Sequence, residues 1–300
     1  MVTKKHIEDG LQKIRLSTGD VVVVHSSLSS FGNVDGGADT VIDALLDVIG
    51  EQGTLVVPTY TYGLDIFDPQ TSTSLCGAIT EAVRMHPNAL RSLHPTHSIA
   101  AIGALADMIT TGHEKVHSFA RGSALFNALQ SRAKVLLLGV SHTSNSMIHV
   151  AEEIANLPYL DRSRHIEFKN VQGKAVQKWV RRPGCSQGFG AIEEVLDEHD
   201  AIRETTIGEC RARIMTARSV VEAALEILKM NPEGLLCERP DCEACAQARA
   251  MVEATEVENQ DKEIIEMAEE EERVRRAIQK RLQGGEVKFF DADDEYTSPN

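Results

Sequence analysis

The stretch AKVLLLGVSHTSNSMIHVAEEIANL, residues 133–157, constrains the fold more than any other part of the chain. Val135, Leu136, Leu137, Leu138, Gly139 and Val140 form a short apolar run without alternation. A strand buried on both faces requires such a run. The run breaks into six small or polar residues, Ser141 to Ser146. Ser144, Asn145 or Ser146 can cap the helix that MIHVAEEIANL predicts, because their side-chain oxygens accept from orphan amides. Open α/β folds place their sites on such strand-to-helix loops, at the carboxyl ends of parallel strands. His149 falls in or near the first helical turn, with Glu152 and Glu153 three and four residues on, on the same face. The helix dipole opposes a positive charge at that position and the two carboxylates favour one, so the imidazole is a candidate base. The alternative is a structural histidine beside two solvated glutamates.

The first 60 residues carry a second unit of this kind. VVVVH at 21–25 is a buried-strand signal, and Ser26 to Gly37 is rich in serine and glycine. The helix from about Ala38 shows one apolar stripe: Val41, Ile42, Leu45, Leu46 and Ile49. TLVVP at 54–58 is the next strand. Strand, loop, helix, strand is a βαβ unit of an α/β protein. Its Ser/Gly loop offers amides and hydroxyls that can hold phosphates or an extended cofactor, although it lacks both the dinucleotide fingerprint and the P-loop lysine.

Shorter signals fill the rest. Residues 4–16 and 77–86 read as helices, 59–75 as an ordered surface loop, and IAAIG as a strand. IEFKNVQGKAVQKWVRR, 166–182, reads as a hairpin around Gln172-Gly173. GAIEEVLDEHD and much of 211–229 read as helix. Residues 246–283 read as one long amphipathic helix, with Ile264, Met267, Val274, Ile278 and Leu282 on its stripe. That stripe can dock on its own domain or join two copies as a homo-oligomer. EEEE at 269–272 reads as a solvated face, and 291–300 as a frayed end. The expected division is a domain at 1–230 and a helical, acidic extension with a cysteine cluster at 231–300.

Charge bears on partners. The chain has 300 residues and a formal net charge of -14. Residues 252–300 hold 15 acidic and 7 basic side chains, a net of -8, which leaves -6 elsewhere. This balance points away from nucleic acid and anionic membrane and toward a cationic small molecule. Aromatics are 4%, with Trp179 the sole tryptophan, too few for a base-stacking surface. No apolar run reaches transmembrane length and MVTKKHIEDG is not a signal peptide, so a cytoplasmic protein with reduced thiols is expected. Cys237, Cys242 and Cys245, in CERPDCEAC, have a spacing that could bind zinc if Cys210 or a histidine supplied a fourth ligand. The other reading of these cysteines is free thiols in a helical turn.

Taken together, four segments resemble the aminoglycoside 3-N-acetyltransferase family. They are VVVVHSSLSSFGNVDGGADTVIDALLDVIGEQGTLVVPTYT, FDPQTSTSLCGAITEAVR, RSLHPTHSIAAIG and AKVLLLGVSHTSNSMIHVAEE, in the family's order over about residues 18–160. The resemblance implies an α/β/α sandwich around a largely parallel sheet, with a smaller substrate-side subdomain. It implies acetyl transfer from acetyl-CoA to an amine of an aminoglycoside-like acceptor. It makes His149 the catalytic histidine, and Ser26, Ser27, Ser29, Arg91, Ser92, His94 and Ser98 the residues of the cofactor groove. The histidine's carboxylate partner is expected in CSQGFGAIEEVL, as Glu193 or Glu194, with Glu152 the local alternative. Relatives often carry proline where this chain has Ala124, and no counterpart in the resistance enzymes is placed for the tail beyond about residue 230.

The mechanism expected is direct transfer, with His149 taking the proton of the attacking amine and donors near Ser26 to Ser29 holding the oxyanion. A polycationic acceptor needs carboxylates, for which Asp65, Asp68 and Glu81 are candidates, with Tyr60 as an apolar wall. The natural acceptor could instead be another amine metabolite. Two rival readings are a covalent serine or cysteine nucleophile, for which no GxSxG elbow is present, and a non-catalytic, metal-stabilised scaffold.

Overall fold

Two apolar strands lie side by side at the centre of the fold and everything else is layered on them. The computed structural model describes residues 1–61, 66–160, 163–170, 172–181, 183–254 and 260–282. Its elements in chain order are α1 (Lys4–Lys13), β1 (Val21–Ser26), α2 (Gly37–Ile49), β2 (Thr54–Pro58), β3 (Ile66–Phe67), α3 (Ala78–Met85), β4 (Leu90–Arg91) and β5 (Ile99–Gly103). There follow α4 (Ala106–Thr110), α5 (Ala124–Gln130), β6 (Lys134–Leu138), α6 (Met147–Ile154), β7 (Ser163–Lys169) and β8 (Ala175–Arg181). The last are α7 (Ile192–Glu198), β9 (Arg203–Ile207), β10 (Cys210–Thr216), α8 (Ala217–Met230), α9 (Glu243–Glu253) and α10 (Gln260–Leu282).

A seven-stranded sheet has the order β4-β5-β2-β1-β6-β10-β9. β1 is parallel to β2 and to β6, while the flanking pairs are antiparallel. The parallel character therefore sits in the central three strands. Successive side chains of a strand point to opposite faces. Accordingly Val22, Val24, Leu136 and Leu138 join the core under α1, α2 and α3, and Val23, Val135 and Leu137 join the core under α5, α6 and α8. Both faces are buried, so the α/β/α arrangement follows from the uninterrupted apolar runs. A second sheet, β3-β7-β8, contains the hairpin read at 166–182 and forms the smaller subdomain.

Three expectations about the later chain change. Residues 211–216 are not helix but strand β10, paired with β6 on one side and β9 on the other. Pairing with a distant strand, which no local spacing shows, decides it. The long helix expected at 246–283 is two: α9 ends at Glu253 and α10 starts at Gln260, with 255–259 outside the described residues. The apolar stripe docks on the chain's own core, through Met267 and Val274. The acidic run is not wholly solvated either, since buried Glu271 pairs with Arg218 of α8 at 2.8 Å. Leu235, Leu236, Cys237, Cys245 and Ala248 belong to the same core cluster as α5, α6 and α8. No described helix is long and apolar enough to cross a membrane. The end expected to fray, 291–300, lies outside the described residues.

One backbone position fixes the turn that leaves β6. Gly139 has φ 67°, and a Cβ there would overlap the Ser30 side chain. Its N–H donates to the Arg211 carbonyl at 3.0 Å. Gly139→Ala should therefore destabilise the protein by about 1–3 kcal/mol, the range for a forced left-handed residue. Urea unfolding measures this, and an unchanged midpoint would show that the turn relaxes freely.

Candidate active site

The carboxyl ends of β1, β2 and β6 open into a cavity of about 610 Å³. His25 and Ser26 from β1, Pro58 and Tyr60 after β2, and Thr143 to Ser146 after β6 line it, together with His149 of α6. The loop before α6 is built as its composition suggests. Asn145 Oδ1 accepts from the Met147 N–H at 3.2 Å, and its amide lies 3.2 Å from His142 Nδ1.

His149 is held from three sides. Its Nδ1 lies 2.5 Å from Glu152 Oε2. Phe119 stacks on the ring at 4.8 Å between centroids, and the Phe189 ring meets it edge-on at 4.7 Å. Glu152 is fully buried, and its Oε1 accepts from the Tyr159 hydroxyl at 2.8 Å. Burial and the facing carboxylate push the Tyr159 phenol up, which keeps it a donor. With Nδ1–H donating to Glu152, Nε2 carries the lone pair, so the side of the ring left unpaired is a proton acceptor.

The histidine partner therefore comes from the same helix, not from the later segment. Glu193 is spent elsewhere: both of its oxygens accept from Arg213 Nη1, at 2.6 and 2.7 Å, and His142 Nε2 lies 3.3 Å away. Arg213 also donates to the Val140 carbonyl at 3.0 Å. Glu193 thus braces the outside of the β6–α6 loop. Glu194 is exposed on α7.

The expected cofactor residues divide. Ser26 lines the cavity, and its hydroxyl is buried without a hydrogen-bond partner among the described residues. Ser27 and Ser29 pair with each other at 3.0 Å outside the cavity wall. Arg91, Ser92, His94 and Ser98 do not line it at all. Arg91 donates to the carbonyls of Thr59, Pro69 and Ser72, at 2.9, 3.2 and 2.5 Å, and to Ser98 Oγ at 3.1 Å. Ser98 in turn donates to the Thr59 carbonyl at 2.7 Å. Ser92 bonds His113 Nδ1 at 3.0 Å, and His113 Nε2 donates to the Ser118 carbonyl at 3.0 Å. His94 is fully buried, and its Nδ1 accepts from the His97 N–H at 3.1 Å. Of the four residues that read as a ligand groove, Arg91 and Ser98 clamp the segment that carries Tyr60, whereas Ser92 and His94 bond His113, Thr96 and His97. From the same segment, Thr96 and His97 do reach the cavity, and nothing in RSLHPTHS distinguishes its wall-facing members.

The expected acidic residues also move. Asp68 pairs with Lys169 at 2.6 Å and Glu81 with Arg84 at 2.6 Å, both away from the cavity lining. Asp65 lies outside the described residues. Tyr60 is on the wall, 4.8 Å from His97 between ring centroids. Among the described residues no carboxylate lines the cavity, but Arg164 and Arg181 do.

A family model described as aminoglycoside 3-N-acetyltransferase matches residues 23–229. The chain is 32% identical over 227 residues to aminoglycoside N(3)-acetyltransferase IV of Salmonella sp., covering 74% of this chain and 85% of that protein. The crystal structure of aminoglycoside acetyltransferase AAC(3)-IVa, as a His-to-Ala mutant in complex with a gentamicin, matches with TM-score 0.76 and 31% identity. The match covers 84% of this chain and 98% of that one. AAC-IIIb in a binary complex with CoASH matches with TM-score 0.70 and 25% identity, over 76% of this chain and 96% of that one.

The buried imidazoles make stability depend on acid. Burial lowers His25 to about 3, with His142 adding to the effect, and burial lowers His113 to about 3 as well. Burial first, then neighbouring imidazoles, holds His94 and His97 well below the usual value. Unfolded, each takes up a proton near the ordinary value of 6.5. The unfolded state therefore gains protons first, and stability that is full above about 6.5 declines as pH falls toward about 3. Melting temperature followed stepwise should begin to drop between about pH 6.5 and 5, above the carboxylate range. A flat melting temperature across that interval would contradict the neutral assignment.

Proposed function

The chain belongs to the aminoglycoside 3-N-acetyltransferase family, whose model spans residues 23–229, and on that premise we propose direct acetyl transfer from acetyl-CoA to an aminoglycoside amine with His149 as general base. The observation that carries the reading is the Tyr159–Glu152–His149 relay, which leaves Nε2 as the acceptor at the cavity wall. As the amine nitrogen attacks the thioester carbonyl, Nε2 takes its proton. The new C–N bond forms, the C–S bond breaks, and the CoA thiolate leaves with the electron pair of that bond. Glu152 stabilises the imidazolium without taking the proton, and the Tyr159 hydroxyl keeps the carboxylate oriented. The Ser26 hydroxyl, unpartnered at the wall, is a donor for the developing oxyanion.

Acetyl-CoA as co-substrate is supported by the CoASH complex of a relative, and an aminoglycoside acceptor by the gentamicin complex of another. Arg164 and Arg181 give the cavity positive charge suited to the phosphates of CoA. The acceptor's positive charge is met by the field of a chain with net charge -14.

A thiol-release assay with acetyl-CoA should give turnover with aminoglycosides such as gentamicin or apramycin and little with simple primary amines. Turnover with simple amines alone would replace the acceptor and leave the transferase. His149→Ala should lower kcat by about two to four orders of magnitude with acetyl-CoA affinity little changed. Glu152→Gln offers Nδ1 a donor amide, favours the wrong tautomer and should lower kcat by about a hundredfold or more at similar KM. If His149→Ala keeps above about a tenth of the turnover, the base is another residue.

A further inference from the structure

The fourth cysteine expected beside Cys237, Cys242 and Cys245 is neither Cys210 nor a histidine. Cys210 is buried in the opposite core, under α1 and α2. Cys185 takes the place instead, from a loop 52 residues upstream of Cys237. The four sulfurs all lie within 4.8 Å of one another. Cys185 and Cys237 are 3.9 Å apart, and Cys237 and Cys245 are 3.5 Å apart. A tetrahedral zinc–thiolate centre with arms of about 2.3 Å has sulfur–sulfur edges of about 3.8 Å. The thiols thus already stand at the separation a metal would impose, and all six cysteines of the chain are free.

The surroundings suit anionic sulfur. Gln187 N–H donates to Cys185 Sγ at 3.5 Å. The Arg239 guanidinium lies beside the Cys237 and Cys242 sulfurs, and its positive charge offsets theirs. Cys242 stands at the N-terminal cap of α9, where the helix dipole favours a thiolate. Cys237, Cys242 and Cys245 are buried, at 4%, 8% and 0% exposure. Four sulfur donors with no position left over make a closed structural site, not a catalytic one.

We propose that Cys185, Cys237, Cys242 and Cys245 hold one zinc ion that fastens the C-terminal segment to the wall of the active-site cavity. Cys185 opens the turn Ser186–Ala191, which carries Phe189 onto the edge of the His149 ring. Gly184 and Ser186 line the cavity on either side of it. From the other side Gly188 meets the backbone of Leu235, Leu236 and Cys237 so closely that a Cβ would overlap it. The metal ties these two backbones together and so sets the position of the wall around His149.

The test uses the full-length protein, purified under reducing conditions and analysed for metal by mass spectrometry. One zinc per chain is expected, and all six thiols of the chain should titrate once denaturation releases it. Cys242→Ser and Cys245→Ser should each lower occupancy by about tenfold or more, whereas Cys210→Ala should keep it. If the serine variants do not fold, cobalt exchanged into the wild-type protein decides the matter. It should give the sulfur-to-cobalt charge transfer and strong visible bands of a tetrahedral thiolate site. A chelator should lower the melting temperature and added zinc should restore it. Iron in place of zinc, a disulfide among the four cysteines, or no metal after zinc is added back under reducing conditions would each overturn the proposal.

Discussion

The parallel pairing of β1 with β6 is the constraint on which the rest depends. Their register sets His25 opposite Leu137 and Ser26 opposite Leu138. Along both strands each face is covered by helices, so no polar side chain is tolerated until the strands end. Polar groups then gather where the two chains emerge together. His25 and Ser26 close β1, and six small or polar residues follow β6 after Gly139 and Val140. The cavity lies at this mouth because the hydrophobic layers leave the polar residues nowhere else to collect. The antiparallel flanks brace it: β10 lies against β6 and brings Arg213 to the carbonyl of Val140.

Glu152 sets the electrostatics of that mouth. A fully buried carboxylate loses several kcal/mol of hydration unless its oxygens are satisfied. Here one oxygen takes the Tyr159 hydroxyl and the other takes His149. The helix supplies the histidine contact by spacing alone, since residues three apart share a face. The tyrosine comes from the short turn Pro158–Leu160 that follows α6. Glu153, one residue on, faces a different environment. Burial raises its carboxyl, and its partner is Arg181 of β8 at 3.2 Å. Two adjacent glutamates therefore have separate tasks, one holding the imidazole and one anchoring the hairpin.

What could be read from the sequence was what is local. The buried runs, the capped turn and the His149–Glu152 spacing all lie within a few residues of one another, and the structure reproduces that geometry. What could not be read depends on distant chain segments. RSLHPTHS reads as a ligand groove, yet Arg91 is half-buried and Ser98 buried, with the carbonyls of Thr59, Pro69 and Ser72 satisfying them. Residues 211–216 become a strand only because β6 offers an open edge. Cys185 joins the other cysteines across a separation that no local spacing rule covers. Glu193 has the right chemistry for a partner of His149, but Arg213 holds it first.

The distribution of charge fits a reaction whose two substrates have opposite signs. A cavity wall rich in carboxylates would attract a polycation but repel the phosphates of CoA from the same space. The chain separates the two demands by distance. Its net charge of -14, of which -8 falls in residues 252–300, concentrates cations near the molecule before contact. Within the cavity the described wall carries Arg164 and Arg181 and no carboxylate. At physiological salt the Debye length is about 8 Å, so the nearby arginines dominate once a ligand is inside. Glu153 beside Arg181 moderates that positive charge without facing the cavity itself. In the proposed reaction the net negative charge gathers the amine and the cavity arginines seat the co-substrate, with His149 on the wall of the same cavity.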